Sequence, residues 1–274
     1  MPLRMCAAVA ALNLCLAGMA AGQDTPDAAA QKKLLEAMQR YADRYVSNLP
    51  NFLCVQVTQQ FEGNAKGEHW HRSDTLTSRL VFNHGREERR VELVNNKPVK
   101  PGSGRHWHAP LTTEGEFGML IDRVLGPSSS AIFHWKQWDV VRGRRVAVFD
   151  YAVAKEHSTL SLTLSDSVRA YIPYEGSVYG DPDTGAVWRI EDSATDIPPE
   201  IQTKSIATRI DYDEIAIGGS NYLLPVEATV RLNMPSSSIR NEIQFRNYRK
   251  FESDSTITFG TAVPDNTSKS QPQQ

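Results

Sequence analysis

The chain has 274 residues, with 30 Lys and Arg set against 32 Asp and Glu, a formal net charge of −2. That near-balance excludes the strongly basic character of most nucleic-acid binders and the polybasic helix that lies on an anionic membrane surface. Three cysteines are present, Cys6, Cys15 and Cys54, and the first segment decides which of them count.

Residues 1–22 read MPLRMCAAVAALNLCLAGMAAG. A basic start at Arg4, an apolar run from Met5 to Gly18, and the small residues Ala20 and Gly22 make the three-part pattern of a secretory signal peptide. The run is shorter than the roughly 20 residues that span a bilayer, and no later segment is a better transmembrane candidate. Cys15 follows Leu14 inside the apolar run, which does not fit a lipid-anchored start. The expectation is a periplasmic or secreted protein, cleaved near Gly22 and beginning near Gln23. Cleavage removes Cys6 and Cys15, so Cys54 has no internal disulfide partner. A mature chain of about 250 residues can bury a core without one.

The mature part opens with a predicted helix. Thr25 serves as its cap, Pro26 as its first residue and Asp27 in its first turn. Leu34, Leu35, Met38, Tyr41, Ala42, Tyr45 and Val46 recur at spacings of three and four, one apolar stripe, and Pro50 ends it. From there the period becomes 2. NFLCVQVTQQF, RLVFN and RRVELVNN read as strands separated by polar turns. TEGEFGMLIDRVL at 113–125 predicts the second helix, with Thr113 and Glu116 as a capping box and Gly126-Pro127 as the stop. Strands resume with RRVAVFDYAV and STLSLTLS, where Leu160, Leu162 and Leu164 face one way. YEGSVYGD, AVWRIED, residues 205–217, LPVEATVRL and NEIQFRNYRKF follow at short intervals. Such spacing leaves no room for crossover helices, so the sheet is expected to be antiparallel.

The predicted fold class is mainly β with α (α+β): an incomplete antiparallel barrel or strongly curved sheet wrapping one or two helices, with the 113–125 helix on the concave face. The predicted organisation is one domain over 23–260 and a disordered, apolar-poor tail at 261–274. The basic runs REERR at 86–90 and RGRR at 142–145 read as solvated hairpin tips.

Several stretches of the C-terminal half, GEFGMLIDRVLGPSS, VRGRRVAVFDY, YEGSVYGDPDTGAVWRIEDSATDIP, DYDEIAIGGSNYLLPVEATVR and RNEIQFRNYRKF, resemble a family of exported acidobacterial proteins of unknown function. The order of β-segments is also similar to the LolA/LolB-like superfamily of lipoprotein carriers and receptors, which includes the RseB-type sensors. That resemblance implies an incomplete antiparallel barrel around a helix, with an apolar hollow for acyl chains. It implies no catalytic residue.

The chemistry-bearing patterns are few. His69 and His71 flank Trp70, and His106 and His108 flank Trp107, two His-x-His elements in which alternate strand residues share a face. Zinc takes about four ligands at fixed geometry. The second element lies in a Pro/Gly-dense stretch where the strand argument fails, so His69, His71, His106 and His108 are expected not to form a metal site. DPDTG at 181–185 lacks the spacing of an EF-hand loop and predicts a tight turn with a left-handed Gly185. No G-x-S-x-G elbow or S-x-x-K site with its partner motifs is present, and the carboxylates are scattered. Cys54 shares a strand side with Phe52 and Gln56, the setting of a buried, unreactive thiol.

The leading expectation is therefore an exported, non-enzymatic binding protein that holds an acyl chain or another apolar ligand in the hollow of a curved sheet, with no cofactor. Phe117, Leu120, Ile121, Val124 and Leu125 are the candidate ligand-lining residues, although a lining residue and a filled-core residue leave the same sequence pattern. The alternative is a cell-envelope interaction or sensing module with the same fold and a protein partner. A hydrolase with an unrecognised site is the third reading. Expected partners are a lipid or lipoprotein acyl chain or an envelope protein, and not nucleic acid.

Overall fold

The structure, a computed structural model, describes residues 25–99, 117–165 and 168–251. The expected signal peptide over 1–22, the 261–274 stretch expected to be disordered, Thr113, Glu116, His106 and His108 lie outside the described residues. In chain order the elements are α1 (Ala28–Asn48), β1 (Phe52–Asn64), β2 (His71–Asn83), β3 (Arg86–Val94), β4 (Lys97–Pro98), α2 (Met119–Leu125), β5 (Ile132–Val141), β6 (Arg144–Val153), β7 (Ser161–Ser165), β8 (Val168–Tyr171), β9 (Tyr174–Gly180), β10 (Val187–Ala194), β11 (Ser205–Ile217), β12 (Ser220–Asn233) and β13 (Ser237–Lys250).

The cap of α1 is Asp27, two residues later than expected. Its Oδ1 accepts from the Ala30 N–H at 2.8 Å, satisfying a backbone donor that no preceding turn can reach. Met38, Ala42 and Tyr45 of the apolar stripe are buried, while Leu34, Leu35 and Tyr41 pack partly against the core. Leu49 stands before Pro50 in extended conformation, φ −75° and ψ 135°, as a residue before proline prefers.

Eleven strands form one sheet in the order β4-β3-β2-β1-β13-β12-β11-β10-β9-β6-β5, all neighbours antiparallel, and β7-β8 form a separate hairpin. The first and last long strands are thus hydrogen-bonded, and the two sheet edges, β4 and β5, are joined by the stretch that carries α2. The curved sheet does not close into a barrel and wraps the two helices, as the predicted fold class requires.

The short strands β4 and β8 were not read from the sequence, and two longer elements differ from the reading. The second helix is shorter than 113–125: Phe117 and Gly118 form a turn, and α2 begins at Met119. Gly118 has φ +130°, a conformation that stops helix propagation and favours glycine. β5 was not foreseen from the alternation, and the register explains why. It shifts between Trp135 and Gln137 against β6, so a one-residue bulge breaks the period of 2 in mid-strand.

The core at the helix-covered end is aromatic. Phe52, Phe82, Phe117, Phe245 and Tyr248 stack with centroid separations between 5.0 and 6.2 Å. Further along β1 the inward face turns polar: Gln56, Thr58 and Gln60 are buried on the same side as Phe52 and Cys54. The apolar Val55 and Val57 are on the other side and only half-buried.

Candidate functional site

A large cleft, about 960 Å³, opens between the second half of α1, the β2–β3 turn and the start of α2. Its apolar lining is Ala42, Val46, Phe117, Met119 and Pro127, and its charged rim includes Asp43, Arg86, Glu88 and Asp122. Ala42 and Val46 lie one helical turn apart and so present one surface. Gly118 brings α2 in close: a Cβ there would come within 2.2 Å of Val46 Cγ2. Two apolar side chains at this cleft stay in water, Met119 at 62% exposure and Val46 at 36%. Met119 thus stands exposed beside a cleft whose lining mixes apolar side chains with charged ones, and the described residues leave that cleft unfilled.

A buried ion pair holds α2 against the sheet. Arg123 Nη2 lies 2.5 Å from Asp192 Oδ2 of β10, and the Tyr151 hydroxyl donates to Asp192 Oδ1 at 3.0 Å. The Tyr174 hydroxyl donates to the Arg123 carbonyl at 2.8 Å, with the guanidinium 5.1 Å from the Tyr174 ring centroid. Burial pushes the Asp192 carboxyl above its ordinary value, and the Arg123 charge and the hydrogen bonds from Tyr151 and Arg123 offset this without cancelling it. Burial likewise raises the Tyr174 phenol to about 12. The far end of α2 is fixed by backbone: the Gly126 N–H donates to the Asp122 carbonyl at 2.7 Å, and Ser129 Oγ donates to the Val124 carbonyl at 3.1 Å.

The five candidate lining residues are all buried in the core cluster, and of the five only Phe117 also borders the cleft. The cleft residues that sequence reasoning missed, Ala42, Val46 and Met119, belong to segments that meet only through the tertiary fold. For Ala42 and Val46 the signal was present in the α1 stripe: Ala42 is a core residue that also borders the cleft, and Val46 continues the stripe beyond the core.

The first His-Trp-His element is not a strand with two histidines on one face. His69 lies outside β2 with φ +55°, His71 starts the strand, and Trp70 packs against Gly63 with Arg240 4.8 Å from its ring centroid. The tryptophan anchors the β1–β2 loop. Among the described residues no group of three or more His, Cys, Asp or Glu gathers as a metal site. DPDTG is a turn, with the Gly185 N–H donating to the Asp181 carbonyl at 2.9 Å and Gly185 at φ +74°. Cys54 is buried. The REERR run is no hairpin tip but lies along β3, whereas Arg142 and Gly143 do form the β5–β6 turn. That turn is clamped rather than merely solvated, with Arg142 3.4 Å from both Asp213 and Glu227.

One grouping has the residue types of a nucleophilic centre. On β5, β6 and β9, Ser177 Oγ donates to Asp150 Oδ1 at 2.5 Å, and Lys136 Nζ lies 2.8 Å from that oxygen and 3.0 Å from Ser177 Oγ. Lys136 Nζ donates to both Asp150 and Ser177, so the three side chains are engaged with one another. Burial alone would raise the Asp150 carboxyl, but hydrogen bonds from Lys136 and Ser177 and the charges of Lys136 and His134 bring it below its ordinary value. The cluster ties three strands together.

No family model matches the chain, and no curated protein matches it. Among solved structures it is similar to a LolA superfamily protein from Nitrosomonas europaea, at 6% identity over 80% of this chain and 94% of the other, with a TM-score of 0.38. It is similar to a DUF1329 family protein from Desulfovibrio piger at 12% identity, over 80% and 94% of the two chains, TM-score 0.38. A putative outer membrane lipoprotein-sorting protein domain from Vibrio parahaemolyticus is similar at 10% identity, over 82% and 94%, TM-score 0.38. Likeness at this level carries no residue role to this chain, and the cleft has to be interpreted from its own geometry. No helix among the described residues is long and apolar enough to cross a membrane.

Proposed function

We propose that this is an exported, non-enzymatic binding protein that holds an acyl chain or similar apolar group in the cleft between α1, the β2–β3 turn and α2. The observation that carries the reading is the 960 Å³ cleft with Ala42, Val46, Phe117, Met119 and Pro127 in its lining. Ligand sites are concave and mostly apolar, with volumes of about 300–1,000 Å³. Phe117 forms the inner wall, and Leu120, Ile121, Val124 and Leu125 are the packed layer that keeps it in place. The charged rim keeps the mouth wet, so an occupant enters with its apolar end first. Organic extraction of the purified chain followed by mass spectrometry tests this: a co-purifying lipid is expected, and its absence together with failure to bind a fluorescent fatty acid overturns the reading.

A second reading, an envelope interaction module, draws on the β5 edge, where Ile132 and Val140 are exposed. Capture of an envelope protein that is lost on Ile132→Lys would favour it. The β5 bulge and the exposed Lys136 at mid-strand are the devices by which proteins block edge pairing, which favours the cleft instead.

A further inference from the structure

A second cleft, of about 390 Å³, lies on the opposite flank of α1. We infer that this cleft is a binding site for a neutral saccharide, because it combines aromatic walls, uncommitted amide side chains, balanced charge and an unpaired indole N–H. Tyr41 and Tyr222 form half-buried walls, and Asn48 and Asn221 stand exposed at the rim. Neither asparagine side chain is hydrogen-bonded to another described residue. Aromatic rings with a polar tip offer a flat apolar surface for the C–H face of a sugar ring. Amides donate and accept at once, as hydroxyl groups require.

Charge narrows the ligand. The lining holds two cations, Arg44 and Arg144, and two anions, Asp181 and Glu214. Arg144 pairs with Glu214 at 3.2 Å and covers the Trp188 ring at 4.3 Å from the centroid. Asp181 Oδ1 accepts from the Asp183 N–H, the Thr184 N–H and Thr184 Oγ1 at 2.8–3.0 Å. Arg44 Nε donates to the Arg40 carbonyl at 3.1 Å. With two cations balanced by two anions, the lining carries no net charge that selects an ion, and a neutral polar ring fits it best.

Two features mark the cleft as built. Trp188 occupies a bulge in β10, where the register shifts between Val187 and Arg189 against β9, and bulges re-aim side chains near binding sites. Its side chain is only 3% exposed, yet Nε1 has no hydrogen-bond partner among the described residues. A buried donor left without an acceptor is costly, and a ligand hydroxyl reaching the cleft floor would supply one. The β9–β10 turn is locked to α1, since a Cβ on Gly185 would meet the Ala37 carbonyl oxygen at 2.2 Å. The walls are therefore preformed.

The test uses the full mature chain with cellobiose, maltotriose and diacetylchitobiose, read by saturation-transfer NMR and calorimetry. Saturable binding of at least one is expected, weakened about tenfold by Tyr222→Ala and measurably by Asn221→Ala, with near-ultraviolet circular dichroism unchanged. Met119→Asp, in the other cleft, leaves saccharide binding intact. No saturable binding to any of the three, or binding that Tyr222→Ala and Asn221→Ala both leave unchanged, overturns the inference without touching the acyl-chain proposal.

Discussion

The two flanks of α1 show how one helix can face two chemistries. On one side Ala42 and Val46 meet Phe117 and Met119 across the large cleft. On the other, Tyr41, Arg44 and Asn48 meet Trp188, Tyr222 and Asn221 across the smaller one. Between them Met38 and Tyr45 enter the core, where the Tyr45 hydroxyl donates to the Leu223 carbonyl at 2.8 Å and its ring meets Tyr212 edge-on at 6.4 Å. The central stripe thus provides the attachment, with Ala42 and Phe117 shared between the core and the large cleft, and the two flanks differ in what they can receive.

The comparison breaks most visibly at Phe117. Phe117→Ala removes a ring shared by the aromatic cluster and the large cleft, and should cost about 3–5 kcal/mol in chemical denaturation. If the flanks are independent, the smaller cleft keeps its ligand in the folded fraction, and coupled loss of both would show that α1 moves as one lever. Arg123→Met should cost about 3 kcal/mol, at the lower end for an orphaned buried charge, because Tyr151 still donates to Asp192. Adding Asp192→Leu should recover much of that loss, and a double variant no better than the single would show that the pair is not what holds α2.

A smaller effect is pH-dependent. The Asp192 carboxyl is raised by burial, so the folded state binds this proton more tightly than the unfolded chain does. Its contribution to stability is full below the unfolded value of about 3.9 and is lost as pH rises through the raised folded value. Denaturation over a pH series should therefore show wild-type stability declining relative to Asp192→Asn as pH climbs through that window. A relative gain with rising pH would mean that Arg123 outweighs burial. Asp150, held below its ordinary value, acts in the opposite sense: its contribution is present above the unfolded value and fades as pH falls through the lowered folded one.

Much of the architecture was legible because hydrophobic period reports it directly. The α1 stripe, the antiparallel sheet and strands such as Arg144–Val153 and Ser205–Ile217 follow from periods of 3.6 and 2. β5 escaped because its bulge shifts the period in mid-strand. β1 shows another limit: its regular apolar set Val55 and Val57 points away from the core, while Gln56, Thr58 and Gln60 are buried. Alternation tells which residues share a face, but neighbouring strands decide which face is covered. The clefts were hardly legible, since Val46 meets Phe117 and Tyr41 meets Trp188 only after the sheet has wrapped the helix. The five nominated residues are all buried in the core and of them Phe117 alone borders the large cleft, a distinction of neighbours that sequence does not encode.

The acyl-chain proposal is tested most directly by titrating the delipidated full chain with a displaceable fluorescent fatty acid, in wild type and in Met119→Asp. Met119 is exposed, so its substitution should change stability by no more than about 0.5 kcal/mol. Burying a methionine against a ligand is worth about 1.5–3 kcal/mol, so the variant should bind roughly tenfold more weakly or worse. The account predicts saturable one-to-one binding in wild type, displacement by unlabelled lipid and that loss in the variant. No saturable binding in wild type, or equal affinity in Met119→Asp, would contradict it.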